Sequence, residues 1–180
     1  RNSQRLYVAV DRSDGEKRFV GVRLEETQGG GTLEQESRNL QRLQGIPHFP
    51  LLLWTGMETI DNRDCAVLVT ELVGPSLNDF FGHCHKEFKL STTVLVALKM
   101  LDCIQALHSK NLLHKDLSPE SFCFGLGERS NDLILASLAH CSLYRDPFSK
   151  NHISYNEDKI VTHFNLYTSL NVLSGIGSLQ

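Results

Sequence analysis

His114-Lys115-Asp116 gathers an imidazole, an ammonium and a carboxylate into three consecutive residues, just ahead of a proline turn at Ser118-Pro119. Groups of these types can move a proton or balance a developing charge. Each also has a structural role to play: Asp116 as a turn former or backbone acceptor, His114 packed beneath the strands that follow. Serines stand nearby at 118 and 121, and again at 137. Their neutral hydroxyls are poor substitutes for the carboxylate oxygens that hard divalent cations prefer. Elsewhere, His83-Cys84-His85 crowds zinc-type ligands together, but the spacing matches no standard zinc site and reads as a solvated cluster at a helix end. Tyr144-Arg145-Asp146 with Lys159 offers the makings of an anion-binding patch, which a solvated loop explains equally well. The five cysteines (Cys65, Cys84, Cys103, Cys123 and Cys141) are odd in number and include no Cys-x-x-Cys pair. They read as free core thiols in a reducing compartment.

These groups must be positioned by the elements around them. Leu112 onward and Leu133 to Ala139 read as two short apolar strands around a polar turn at Glu128 to Asp132. Upstream, residues 5 to 12 and Arg18 to Glu25 read as strands joined at Asp14-Gly15, a hairpin signal. Gln28 to Gly31 is a glycine break. Thr32 to Gln44 reads as a helix with a Thr32/Gln35 capping box, a Leu33/Leu40/Leu43 stripe and Gly45 just past its end. Strands follow around Leu51 to Thr55 and Ala66 to Leu72, with Asp61-Asn62 as the turn between them. After Gly74-Pro75 the chain turns helical. A short helix starts with a Ser76/Asp79 cap, and Ser91 to Ser109 is a long amphipathic helix with Ser91 as N-cap. Residues 140 to 180 carry no strong periodicity.

The chain of 180 residues suits one domain, or two small lobes sharing a core. An apolar content of 41% with 22% charged residues indicates a globular, soluble protein. A net charge of −3 gives no electrostatic reason to expect nucleic acid or a membrane surface. No 18-residue uninterrupted apolar run is present, so no bilayer span is expected. The residues given show no signal peptide or membrane span, and an intracellular protein, cytoplasmic or nuclear, is expected.

The order of elements is that of a protein kinase, and several motifs narrow the likeness. Leu68-Val69-Thr70-Glu71-Leu72-Val73-Gly74-Pro75-Ser76-Leu77 resembles the hinge of the casein kinase I family. Leu107-His108-Ser109-Lys110-Asn111, the Phe122 to Gly127 run, Tyr144-Arg145-Asp146 and Tyr167-Thr168-Ser169-Leu170-Asn171 are similar to that family too. The resemblance covers nearly the whole chain. It implies an α+β, bilobal kinase-like fold: residues 1–73 as an N-lobe of antiparallel strands with one helix, and residues 74–180 as an incomplete, mainly helical C-lobe. The family continues with several more helices, so an exposed apolar face is expected along Ser91 to Ser109.

Carried over residue by residue, the family's catalytic base falls on Asp116. Its phosphate-contacting lysine falls on Arg23, the helix glutamate that pairs with it on Glu36, and the hinge on Glu71 to Gly74, including Leu72. The positions for the catalytic-loop lysine, the metal-binding asparagine and the metal-binding aspartate fall on Ser118, Ser121 and Ser137. The substrate-binding Gly-Thr-Ala-Arg segment falls on His163 to Leu166, which lacks the arginine. Arg1 to Arg5 holds no glycine where a phosphate-covering loop should end. Phosphoryl transfer depends on positioning and charge neutralisation. At roughly 3 kcal/mol for each lost contact, even half of the sum over three would slow a turnover of ~1–100 per second about a thousandfold. The resemblance therefore implies a pseudokinase that works by binding protein partners, with no metal and no cofactor expected. The alternative is a serine/threonine kinase, or a fragment of one, that binds ATP through hinge backbone even without magnesium and transfers phosphate weakly through Asp116.

Overall fold

A computed structural model of the chain describes residues 5–13, 15, 17–26, 31–146, 148, 149, 151–153 and 166–174. It is a mixed α+β structure built on a four-stranded antiparallel sheet. Strands β1 (Arg5–Asp11), β2 (Arg18–Glu26), β3 (Leu52–Ile60) and β4 (Arg63–Glu71) lie in the order β1-β2-β4-β3. Helix α1 (Thr32–Leu43) crosses between β2 and β3. Helices α2 (Leu77–His83) and α3 (Leu90–Ser109) follow the sheet. Short strands then pair as β5 (Leu112–Leu113) with β8 (Ser142–Leu143), and as β6 (Phe122–Phe124) with β7 (Leu133–Leu135). Helix α4 (Leu170–Leu173) comes last.

Local chemistry explains most of these boundaries. The turn between β3 and β4 is Asp61-Asn62, both at positive φ (52° and 59°), where short polar side chains are tolerated. A two-residue loop with both residues left-handed matches strand twist, so the two strands pair without a break from Ile60↔Arg63 back to Trp54↔Val69. That extends β3 to Ile60, beyond the Leu51 to Thr55 core expected from hydrophobicity. Helix α2 starts with the expected box: Ser76 Oγ accepts from Asp79 N at 3.1 Å, and Ser76 N donates to Asp79 Oδ2 at 3.1 Å. Gly45 sits at φ 79° just beyond α1, the left-handed position that ends a helix.

Two caps differ from the sequence reading. Gly31, at φ 69°, is the N-cap of α1 and Thr32 makes no capping box. The carboxylate of Glu25, buried at the end of β2, accepts instead from Leu33 N at 2.7 Å and from the Thr32 hydroxyl. A carboxylate from outside the helix thus satisfies an orphan donor and complements the helix dipole. Helix α3 begins at Leu90 with Lys89 as N-cap and no side-chain cap, so Ser91 lies within the helix.

One continuous core runs through the molecule. Leu33, Leu40 and Leu43 of α1 and Leu68 of β4 pack with Cys103 and Leu107 of α3, Leu112, Phe122, Leu135 and Leu138. The outer face of α3 leaves Leu90, Val94, Leu95, Leu98 and Leu101 exposed. Among the described residues α3 is the one helix that meets the length and composition of a bilayer span, with a mean hydropathy of 1.5. Lys99 and Asp102 interrupt it, and Cys103 and Leu107 anchor it in the core. All five cysteines are free thiols. Burial raises the pKa of Cys103 to about 11 and that of Cys141 to about 12.

Candidate functional site

Between the sheet and the β6–β7 hairpin lies a cleft of about 310 Å³. Gly21 and Arg23 of β2, Thr70 and Glu71 of β4, the Leu72–Pro75 connection, Cys123 of β6 and Ser137 line it. The sequence positions each wall. The β2–β4 register places Gly21 opposite Thr70 and Arg23 opposite Leu68, so both β2 residues present the same face. The connection is pinned to the hairpin: Gly74 N donates to Phe124 O at 2.7 Å, and Phe124 N to Pro75 O at 3.0 Å. Arg129 ties the same corner by bonding the carboxylate of Glu71 and the carbonyl of Pro47. Gly125 is required here, because a Cβ would lie 2.2 Å from Arg129 O. Leu72 and Val73, between these anchors, form no backbone–backbone hydrogen bond among the described residues.

Arg23 is already engaged. Its Nη1 lies 2.7 Å from Glu36 Oε2, with the Glu36 side chain fully buried. The other Glu36 oxygen accepts from Leu138 N at 3.1 Å. One helical turn on, Asn39 Nδ2 donates to Leu138 O at 2.9 Å and to Cys141 O at 3.1 Å. Glu36 and Asn39 therefore fix α1 to the segment after β7. Around the cleft, Asp79 and Glu120 add carboxylates to the Arg23–Glu36 and Arg129–Glu71 pairs. The hydroxyl of Ser76, then its backbone N–H, holds the Asp79 carboxyl below the usual range.

The structure brings Arg23, Glu71, Leu72 and Ser137 to this cleft and seats Glu36 behind Arg23. Asp116 lies beside the cleft, joined to Ser137 through His114: Asp116 N donates to His114 Nδ1, and His114 Nε2 bonds Ser137 O. Half-buried Asp116 lines a second hollow of about 280 Å³, with His114, Lys115 and Tyr167 to Ser169. Ser121 is buried and Ser137 is exposed. Ser121 Oγ donates to the backbone carbonyl of Asp116 at 3.3 Å and lies 3.3 Å from Ser118 Oγ. These hydroxyls thus hold the loop to itself. Among the described residues no three His, Cys, Asp or Glu side chains converge as metal ligands. His83 Nδ1 bonds the carbonyl of Asp79 one turn back, at 2.8 Å. Lys159 and His163 to Asn165 lie outside the described residues, as do Arg1 to Gln4.

His114 is a structural strut. Its Nδ1 accepts from Asp116 N at 3.3 Å, which leaves the proton on Nε2 to donate to Ser137 O at 2.5 Å. The imidazole joins the loop before the proline turn to the segment after β7. Burial lowers its pKa below the ordinary 6.5. A histidine depressed in the fold is protonated first in the unfolded chain, so its contribution is full above that value and lost as pH falls beneath it. Thermal stability is therefore expected to decline as pH falls below the ordinary histidine value. His114→Gln should flatten that decline in melting curves taken across that fall in pH; an unchanged slope would show that other groups set it.

Two contributors were not singled out from sequence. Asn39 falls on the buried stripe of α1 between Glu36 and Leu40, and a polar residue there is the signal of a buried tether. Arg129 lies in a polar turn and carries no such sign. No family model matches the chain.

Proposed function

We infer that the chain is a casein kinase I-like pseudokinase with a bilobal kinase-like architecture, working inside the cell through protein contacts and without phosphoryl transfer. The arrangement that carries this reading is the pair of loop serines 118 and 121, whose hydroxyls bond each other and the Asp116 backbone. In the positions that the resemblance assigns to a cation and a metal ligand, these side chains serve loop structure. One further feature agrees with it: Asp79 and Glu120 add carboxylates to a cleft whose Arg23 is already paired with Glu36, which opposes a polyphosphate.

The second reading is a kinase with ATP binding and weak transfer through Asp116. The backbone of Leu72 and Val73 favours it, since hinge recognition of a base needs main-chain groups and no particular side chain. Melting curves with ATP, with and without magnesium, separate the two. The pseudokinase reading expects no magnesium-dependent shift. A shift of several degrees, with label transfer to an acidic substrate that Asp116→Asn abolishes, establishes the second reading in its place.

A further inference from the structure

Between β7 and β8 the chain passes from the cleft to the core along Ser137–Cys141. Ser137 lines the cleft, while Leu138 and Cys141 are buried. Among the described residues no strand pairs with this stretch. A turn bond from Cys141 N to Leu138 O at 3.2 Å closes it on itself. Side chains from elsewhere hold it in place. His114 Nε2 donates to Ser137 O, Glu36 accepts from Leu138 N, and Asn39 Nδ2 donates to both Leu138 O and Cys141 O. Glu36 and Asn39 stand one turn apart on α1.

Asn39 is fully buried on the stripe that also carries Leu40 and Leu43, a place where leucine would pack as well. Burying an amide there costs its hydration, which is offset only while both carbonyls are within reach. Its Oδ1 accepts from Gln35 Nε2 at 3.3 Å, so the amide is satisfied at both ends in this one arrangement. A leucine would hold α1 to the core without specifying where the segment lies.

We propose that Asn39 is the latch of a segment that can open by itself. Closed, the latch keeps Leu138 and Cys141 in the core and fixes Ser137 at the cleft wall. Open, Ser137–Cys141 leaves its seat while the sheet and α3 stay folded, and the cleft loses that wall. Segments held by few backbone bonds are where such local openings occur. Asn39 is thus a positioning residue for the cleft, acting through the segment.

Pulse alkylation of the full chain with iodoacetamide, mapped by mass spectrometry, reads the latch through two buried thiols. Cys141 lies in the segment and Cys103 lies in α3. Burial holds both thiols protonated, so each reacts only in states that expose it. In the native chain Cys141 is expected to react no faster than Cys103. Asn39→Leu removes two buried hydrogen bonds and should speed Cys141 about tenfold or more, with Cys103 unchanged. Leu40→Ala weakens the core without touching the latch, and should speed both thiols together. Circular dichroism checks that each variant is folded. An Asn39→Leu chain that leaves Cys141 protected overturns the proposal. So does one that speeds both thiols alike, the result of a merely structural role. Cys141 outrunning Cys103 in the native chain overturns it too, and that measurement stands even if the variant does not fold.

Discussion

Replacing Glu36 with alanine is expected to destabilise the protein by about 3–5 kcal/mol, the usual cost of removing one member of a buried ion pair. Three effects add in one direction. Arg23 loses the partner that lies 2.7 Å away, Leu138 N loses its acceptor, and a cavity opens where a fully buried side chain stood. Arg23→Met leaves the fully buried Glu36 carboxylate with Leu138 N but without its counter-charge, so it should also cost about 3–5 kcal/mol. The expected loss is a large share of the 5–15 kcal/mol available to an ordinary domain. It corresponds to a fall in melting temperature of roughly 10 °C. Urea titrations of the two single variants and the double variant give the coupling directly. If Glu36→Ala cost no more than an exposed pair, about 0–1 kcal/mol, Glu36 would not be a keystone between α1 and the β7 exit.

On the pseudokinase reading, Ser121→Asn with Ser137→Asp is expected to create magnesium-dependent stabilisation by ATP that the native chain is expected to lack. The two changes supply an amide oxygen and a carboxylate, the hard ligands that serines do not match. Adding Ser118→Lys and Arg23→Lys should raise phosphate transfer by about a thousandfold over the native chain, if the contacts are worth their usual amounts. Ser121 is buried against the Asp116 backbone, so the larger amide must force the loop outward, at a cost of about 1–3 kcal/mol. A folded variant that gains nothing from magnesium would remove the premise that these positions are vacant metal seats.

Much of the fold was legible because its signals are local. The polar turn at Asp61-Asn62, the Ser76/Asp79 box and the Leu33/Leu40/Leu43 stripe each depend on residues within one or two turns of one another. The cap at Thr32 differs for a physical reason: Thr32 has the side chain of an N-cap, but the donors there are taken by Glu25, seven residues earlier and on another element. Local propensity had no access to that competitor. The candidate site was less legible for the same reason. The Glu36 and Asn39 bonds to Leu138 and Cys141, the His114 bond to Ser137, and the Arg129 tie to Glu71 and Pro47 all depend on how distant segments are laid together. Residue types named the candidates. Only the assembled chain decides which of them face one another.

The tether between α1 and the segment at Leu138–Cys141 also bears on how the molecule is made. The three hydrogen bonds from Glu36 and Asn39 join residues 99 and 102 positions apart. On a ribosome the helix emerges long before the carbonyls and amide that it needs, at a synthesis rate of about 5–20 residues per second. For that interval, on the order of several seconds, its carboxylate and amide must stay hydrated, and the leucine stripe behind them has no complete core to enter. Chaperones that shield apolar stripes on nascent chains would meet this helix first, and release should follow closely on the appearance of residue 141.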